Sequence, residues 1–174
     1  EFEKGLITQE KLKTERFKRL SKEINTPFDE TDFSKSYIYH LSNASFLYND
    51  SVELIKNLSK NYKLAIITNG LTDVQSKRIR KSIIAKYFGT IVISEEVKVS
   101  KPKPEIFEIA LNKLNYKDKS KVLMIGDSLT SDIQGGINFG VDTCWINFEN
   151  HENSNLFKPT YEISNLMDLL KILR

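Results

Sequence analysis

Three short segments place residues that handle anionic oxygen just past runs of apolar sequence. Leu64-Ala65-Ile66-Ile67 leads into Thr68-Asn69-Gly70, Lys101 lies in Lys101-Pro102-Lys103-Pro104, and Val122 to Ile125 leads into Gly126-Asp127, followed by Ser128 to Ser131 and Asp132. A threonine hydroxyl beside backbone N–H groups, at a turn that glycine lets bend sharply, can hold phosphate oxygens. A lysine between prolines sets a positive charge over a phosphate. Asp127 and Asp132 supply hard oxygen donors of the kind Mg2+ uses, one or two carboxylates at a time, with waters and substrate phosphate completing its octahedron.

Each segment also has a plain reading. Thr68 to Gly70 can be a strand end with an ordinary turn, Lys101 a solvated residue before a helix that opens on proline, and Asp127 and Asp132 a turn residue and a helix cap. Their combination separates the readings, because all fall beyond the ends of apolar strands or at a nearby helix start. If those strands are parallel, the groups share the carboxyl rim of one sheet, where ligands of open α/β sheets bind. A hydroxyl, a lysine and two carboxylates on one rim form a phosphate-plus-metal site, able to neutralise charge on a transferring phosphoryl group.

The elements that must position these residues are legible in the apolar periodicity. Thr8 is a plausible cap for a helix through Ile24 with Leu12, Phe17, Leu20 and Ile24 near one face, and Phe33, Tyr37, Leu41 and Ala44 repeat at helical spacing after Pro27 and the acidic Asp29 to Asp32. Two antiparallel helices are expected. From residue 51 the pattern alternates: helix 51–59, strand Leu64–Thr68, helix 73–86, strand Ile91–Ser94, helix 104–114, strand Val122–Ile125, helix 131–139 and strand Thr143–Ile146. A last helix carries Leu166, Leu169, Leu170 and Leu173. Short, β-branched, apolar strands alternating with helices indicate a doubly wound α/β parallel sheet with a Rossmann-like core. Asn147 to Lys158 reads as a surface loop.

Composition narrows the function classes. The chain has 174 residues, 40% apolar and 28% charged, with a net charge of +3. Its basic residues are interspersed with acidic ones, which argues against a nucleic-acid or membrane partner. Cys144 is the single cysteine and lies in an apolar run, so it reads as a core residue in a reducing, cytoplasmic setting. His40 and His151 have no ligand-spaced partner, which argues against zinc. Phe33, Tyr37, Tyr39, Phe46, Tyr48 and Trp145 are expected to serve packing before stacking on any ligand.

The ordered set Thr68-Asn69-Gly70, Lys101-Pro102 and Gly126-Asp127 with Asp132 resembles motifs two, three and four of the haloacid-dehalogenase-like (HAD) hydrolases, over essentially the whole chain. The resemblance implies that Thr68, Asn69, Gly70 and Lys101 bind the phosphoryl group, that Asp127 ligates Mg2+ and that Asp132 supports the metal. Residues 1–46 resemble part of the helical cap that these enzymes insert, and 47–174 the α/β core. Glu3-Lys4-Gly5-Leu6-Ile7-Thr8, Thr68-Asn69-Gly70 and Trp145-Ile146-Asn147 are similar to the pyrimidine 5'-nucleotidase branch, which implies a small phosphorylated substrate such as a nucleoside 5'-monophosphate.

Motif one, an apolar strand ending Asp-x-Asp that supplies the nucleophile and the acid–base group, does not occur in these residues. The resemblance therefore implies a fragment lacking the central strand of its sheet, expected to be inactive alone. A non-catalytic phosphate-binding protein is the alternative. A dehalogenase fits less well, since those enzymes need no metal. A phosphate-accepting receiver domain would order its residues aspartate, threonine, lysine, whereas here Thr68 and Lys101 precede Asp127. Oligomeric state is not legible.

Overall fold

A computed structural model describes residues 7–153 and 157–173; Glu3 to Leu6 and the side chain of Leu12 lie outside that description. The elements in order are α1 (Gln9–Glu23), α2 (Glu30–Asn43), α3 (Ser51–Leu58), β1 (Ala65–Thr68), α4 (Thr72–Lys81), β2 (Thr90–Ile93), α5 (Ser94–Val97), α6 (Pro104–Lys113), β3 (Leu123–Gly126), α7 (Gln134–Phe139), β4 (Asp142–Ile146), β5 (Tyr161–Ile163) and α8 (Leu169–Ile172). Single 3-10 turns fall at Ala85–Tyr87, Lys119–Lys121 and Leu166–Asp168, so two of the expected helix ends are tighter and shorter than the periodicity indicated.

All strand pairs are parallel. Thr68 lies opposite Ile93 at the end of the β1–β2 ladder, and Gly126 lies opposite Trp145 at the end of β3–β4. β5 extends that second sheet in the order β3-β4-β5. Sequence reasoning missed β5, whose three residues offer too short a pattern to read. Among the described residues no strand pair joins the two sheets, so β1 and β3 each keep one unpaired edge. Every residue of these two strands is only half-buried, whereas Thr143, Cys144 and Trp145 of β4 are buried.

Helices cover both faces. Val92, Ile106, Phe107, Ala110, Leu111, Phe139 and Val141 form one apolar cluster, built around α6. Leu54, Leu58, Cys144, Ile163 and Leu169 form the other, beneath α3 and α8. Burial pushes the Cys144 thiol up to about 11, which suits an inert core residue. α7 ends where Gly140 takes φ +80°, a left-handed stop at which any Cβ is disfavoured.

The hairpin of α1 and α2 starts at its two predicted signals. Thr8 accepts from Lys11 N–H at 3.3 Å, and Asp29 accepts from Asp32 N–H at 2.8 Å. Phe17 is buried against the rings of Phe33 and Tyr37, 5.0 and 5.3 Å between centroids. The expectation of packing holds for Trp145, which is buried, and is corrected for Tyr39, Phe46 and Tyr48, which are 65%, 91% and 70% exposed because they fall off the Phe17 face or in the connection to α3. Tyr48 instead packs on Phe148, 4.8 Å between centroids.

Polar contacts dock this hairpin on the α/β unit. Arg78 Nε donates to Ala44 O at 2.9 Å, Lys81 Nζ to Asn43 Oδ1 at 2.7 Å, and Lys13 Nζ lies 3.7 Å from Glu95 Oε1. Glu95 also accepts from Thr72 N–H at 2.7 Å, at the start of α4. Partial burial opposes ionisation of Glu95, but the Thr72 hydrogen bonds with Lys13 and Lys98 outweigh it and hold the carboxyl below its ordinary value. A lowered folded pKa contributes stability that is present above the ordinary carboxylate range and is lost as pH falls through the lowered value. Denaturant midpoints measured across acidic pH should therefore lose part of their slope in Glu95→Gln; an unchanged slope would mean that Glu95 is uncoupled from folding.

Candidate active site

Lys101 is the hub of the carboxyl rim. Its backbone is held by a reciprocal pair of hydrogen bonds: Asn69 Nδ2 donates to Lys101 O, and Lys101 N–H donates to Asn69 Oδ1, both at 2.9 Å. Its ammonium donates to Ile67 O of β1 at 2.8 Å and lies 2.6 Å from Asp132 Oδ1. Lys101 and Asp132 are 7% and 5% exposed, so this is a buried ion pair. Asp132 Oδ1 has no aligned hydrogen bond and meets Lys101 as a charge contact. The pair connects the end of β1 to the loop after β3 and thereby spans the two sheets.

The loop after β3 is shaped by close approach. A Cβ on Gly126 would run into the Asp132 carboxylate, so only glycine lets Asp132 fold back over the strand end. Ser128 O accepts from both Asp132 N–H at 2.9 Å and Ile133 N–H at 3.1 Å, which opens the helix on a π-type turn over Leu129–Ile133. Asp132 Oδ2 in turn accepts from Ser128 N–H at 3.1 Å. Asp127, between Gly126 and Ser128, is exposed, and its carboxylate has no partner among the described residues.

The sequence-predicted residues thus divide by what they touch. Asn69, Lys101, Asp132 and the backbone on either side of Asp127 form one chain of contacts. The Asn69 side chain is committed to Lys101, and Gly70 N–H donates to Ser94 Oγ at 3.2 Å. Thr68 ends β1 half-buried, and its hydroxyl has no partner among the described residues. Three contributors carried no local signal: Ser94 and Glu95, which hold the amides of Gly70 and Thr72, and Trp145, whose Nε1–H donates to Asp127 O at 2.9 Å. Each acts across 18 or more residues of chain, which periodicity does not report.

The donor set fits Mg2+. Among the described residues no group of three or more His, Cys, Asp or Glu side chains converges, and His151 pairs with Glu149 at 2.8 Å. Mg2+ needs less from the protein: one free carboxylate, Asp127, with Asp132 close behind, leaves room for waters and a phosphate.

The α/β fold thus holds a buried lysine–aspartate pair and a free carboxylate at the carboxyl rim of its parallel strands. Residues 7–146 match the model of the haloacid dehalogenase-like hydrolases. The chain is 35% identical over 173 residues to pyrimidine 5'-nucleotidase YjjG of Escherichia coli, covering 99% of this chain and 76% of that protein. It is also 35% identical over 168 residues to pyrimidine 5'-nucleotidase PynA of Streptococcus pneumoniae, covering 96% and 71%. The solved structure of the putative HAD-hydrolase YfnB of Bacillus subtilis, bound to magnesium, superposes with a TM-score of 0.91 at 36% identity, over 99% of this chain and 76% of that one. The chain belongs to the haloacid dehalogenase-like hydrolase family.

Gly126→Ala should force Asp132 off the strand end, costing about 1–3 kcal/mol as overpacking does. Chemical denaturation measures the loss, and a structure of the variant should show the Lys101–Asp132 contact broken. A variant as stable as the parent with that contact intact would remove the role given to Gly126.

Proposed function

We propose that this chain carries the phosphate- and metal-binding part of a phosphoric monoester hydrolase that uses Mg2+ and acts on a small phosphorylated metabolite, in the first place a nucleoside 5'-monophosphate. The observation that carries the reading is the buried Lys101–Asp132 pair beside the free carboxylate of Asp127. Thr68 offers its hydroxyl to a phosphate oxygen, and Lys101 neutralises charge at the phosphoryl group. Asp127 holds the metal with Asp132 behind it, and Mg2+ when bound supplies Lewis-acid stabilisation of phosphate charge. The nucleotidase substrate class rests on the relatives in Escherichia coli and Streptococcus pneumoniae.

The unpaired edges of β1 and β3 support a strand between them, supplied from outside these 174 residues and carrying the nucleophile. An aspartate carboxylate there attacks phosphorus, and the ester oxygen leaves with a proton from a neighbouring acid. Water then attacks the aspartyl-phosphate, yielding inorganic phosphate and the free carboxylate. In this reading residues 1–46 are part of a helical cap and 47–174 the core.

Asp127→Asn in the full-length protein is a cleaner test than Lys101→Ala, because losing Lys101 strands a buried carboxylate at a cost of about 3–5 kcal/mol. Phosphate release from pyrimidine nucleoside 5'-monophosphates should fall on the order of a hundredfold or more in Asp127→Asn. Turnover should also require higher Mg2+. Parental turnover and parental metal dependence would reject the metal role of Asp127.

A further inference from the structure

The peptide that follows Asp127 is held at both ends. Its carbonyl, Asp127 O, accepts from the Trp145 indole N–H at 2.9 Å, and its N–H, on Ser128, donates to Asp132 Oδ2 at 3.1 Å. One clamp comes from β4, where Trp145 lies opposite Gly126 in the parallel ladder. The other comes from the buried carboxylate that faces Lys101. A peptide plane held by its oxygen and its nitrogen cannot rotate, so ψ of Asp127 and φ of Ser128 are set together.

We infer that Trp145 is a positioning residue for the Asp127 carboxylate, aiming it at the metal through the clamped 127–128 peptide. Asp127 is exposed and its carboxylate has no polar partner among the described residues, so the restraint on it comes through the backbone, whose clamped peptide fixes the origin and direction of the Cα–Cβ bond from which the carboxylate reaches. Trp145 is 4% exposed, which shields its hydrogen bond from competing water. Neutral donors behind a metal ligand commonly set its orientation and the metal affinity. Ordinary packing asks only for the bulk of the ring; positioning requires its N–H. The inference rests on the reading of Asp127 as a metal ligand.

The experiment measures Mg2+ binding to the full-length protein by calorimetry, with no substrate present, in four forms. Asp127→Asn tests the underlying reading: parental Mg2+ affinity in that variant overturns both it and the role of Trp145. Trp145→Phe removes the donor, and replacing Trp145 by benzothienylalanine removes the N–H while keeping the two-ring shape if the phenylalanine form folds poorly. Phe139→Leu loosens a buried ring in the α6 cluster and controls for lost stability. With Asp127→Asn impaired, the expected result is an Mg2+ dissociation constant raised on the order of tenfold in both Trp145 forms and unchanged in Phe139→Leu. Parental affinity in the benzothienylalanine protein, or an equal loss in Phe139→Leu, overturns the assignment while leaving the metal role of Asp127 standing.

Discussion

The contact between Lys101 and Asp132 organises the carboxyl rim. Two opposite charges are taken out of water at 2.6 Å, at a desolvation cost that their mutual attraction offsets only when surrounding groups satisfy what remains. Those groups are present. Lys101 Nζ donates to Ile67 O, Asn69 clasps the Lys101 backbone on both sides, and Asp132 Oδ2 receives Ser128 N–H. With β1 and β3 unpaired toward each other among the described residues, this cluster is the polar bridge that ties the rim of one sheet to the rim of the other.

Removing either member of the pair leaves the other as a buried, uncompensated charge, so the fold of this corner depends on both. The dependence also explains the glycine at 126. Asp132 reaches Lys101 only by lying over the end of β3, where a side chain would stand. The π-type turn delivers Asp132 there by letting Ser128 O accept two successive amides. Local backbone irregularity and a buried charge are thus two aspects of one arrangement.

A second tier of contacts holds the rim from behind. Ser94 and Glu95, leaving β2, accept from the amides of Gly70 and Thr72 and so set the turn that follows Thr68. Trp145, near the end of β4, restrains the turn that carries Asp127 from the other side of the peptide, by donating its indole N–H to Asp127 O. In each case the neighbouring strand in the parallel ladder supplies the restraint, because parallel pairing brings the ends of adjacent strands to the same level. The side chains left uncommitted, Thr68 and Asp127, are the two whose chemistry suits an anion and its metal.

How much of this was legible follows from the range of each interaction. The alternation of helices and short apolar strands, the cap at Thr8, the restart of the chain at Asp29 to Asp32, and the groups placed just past the strands could all be read, because they depend on residues near one another in the chain. Composition and spacing alone also marked Thr68, Lys101, Asp127 and Asp132 as a set. They did not show that Asn69 serves Lys101, that Asp132 is buried against it, or that Trp145 grips the carbonyl of Asp127. Nor did they show that Tyr39, Phe46 and Tyr48 face outward, or that Tyr161–Ile163 adds a strand. Those outcomes depend on partners brought together across long stretches of chain, where sheet register and burial choose among donors that look alike in sequence. Residue type determined which chemistry the rim could perform; only the tertiary fold decided which groups would be held rigid and which left free to act.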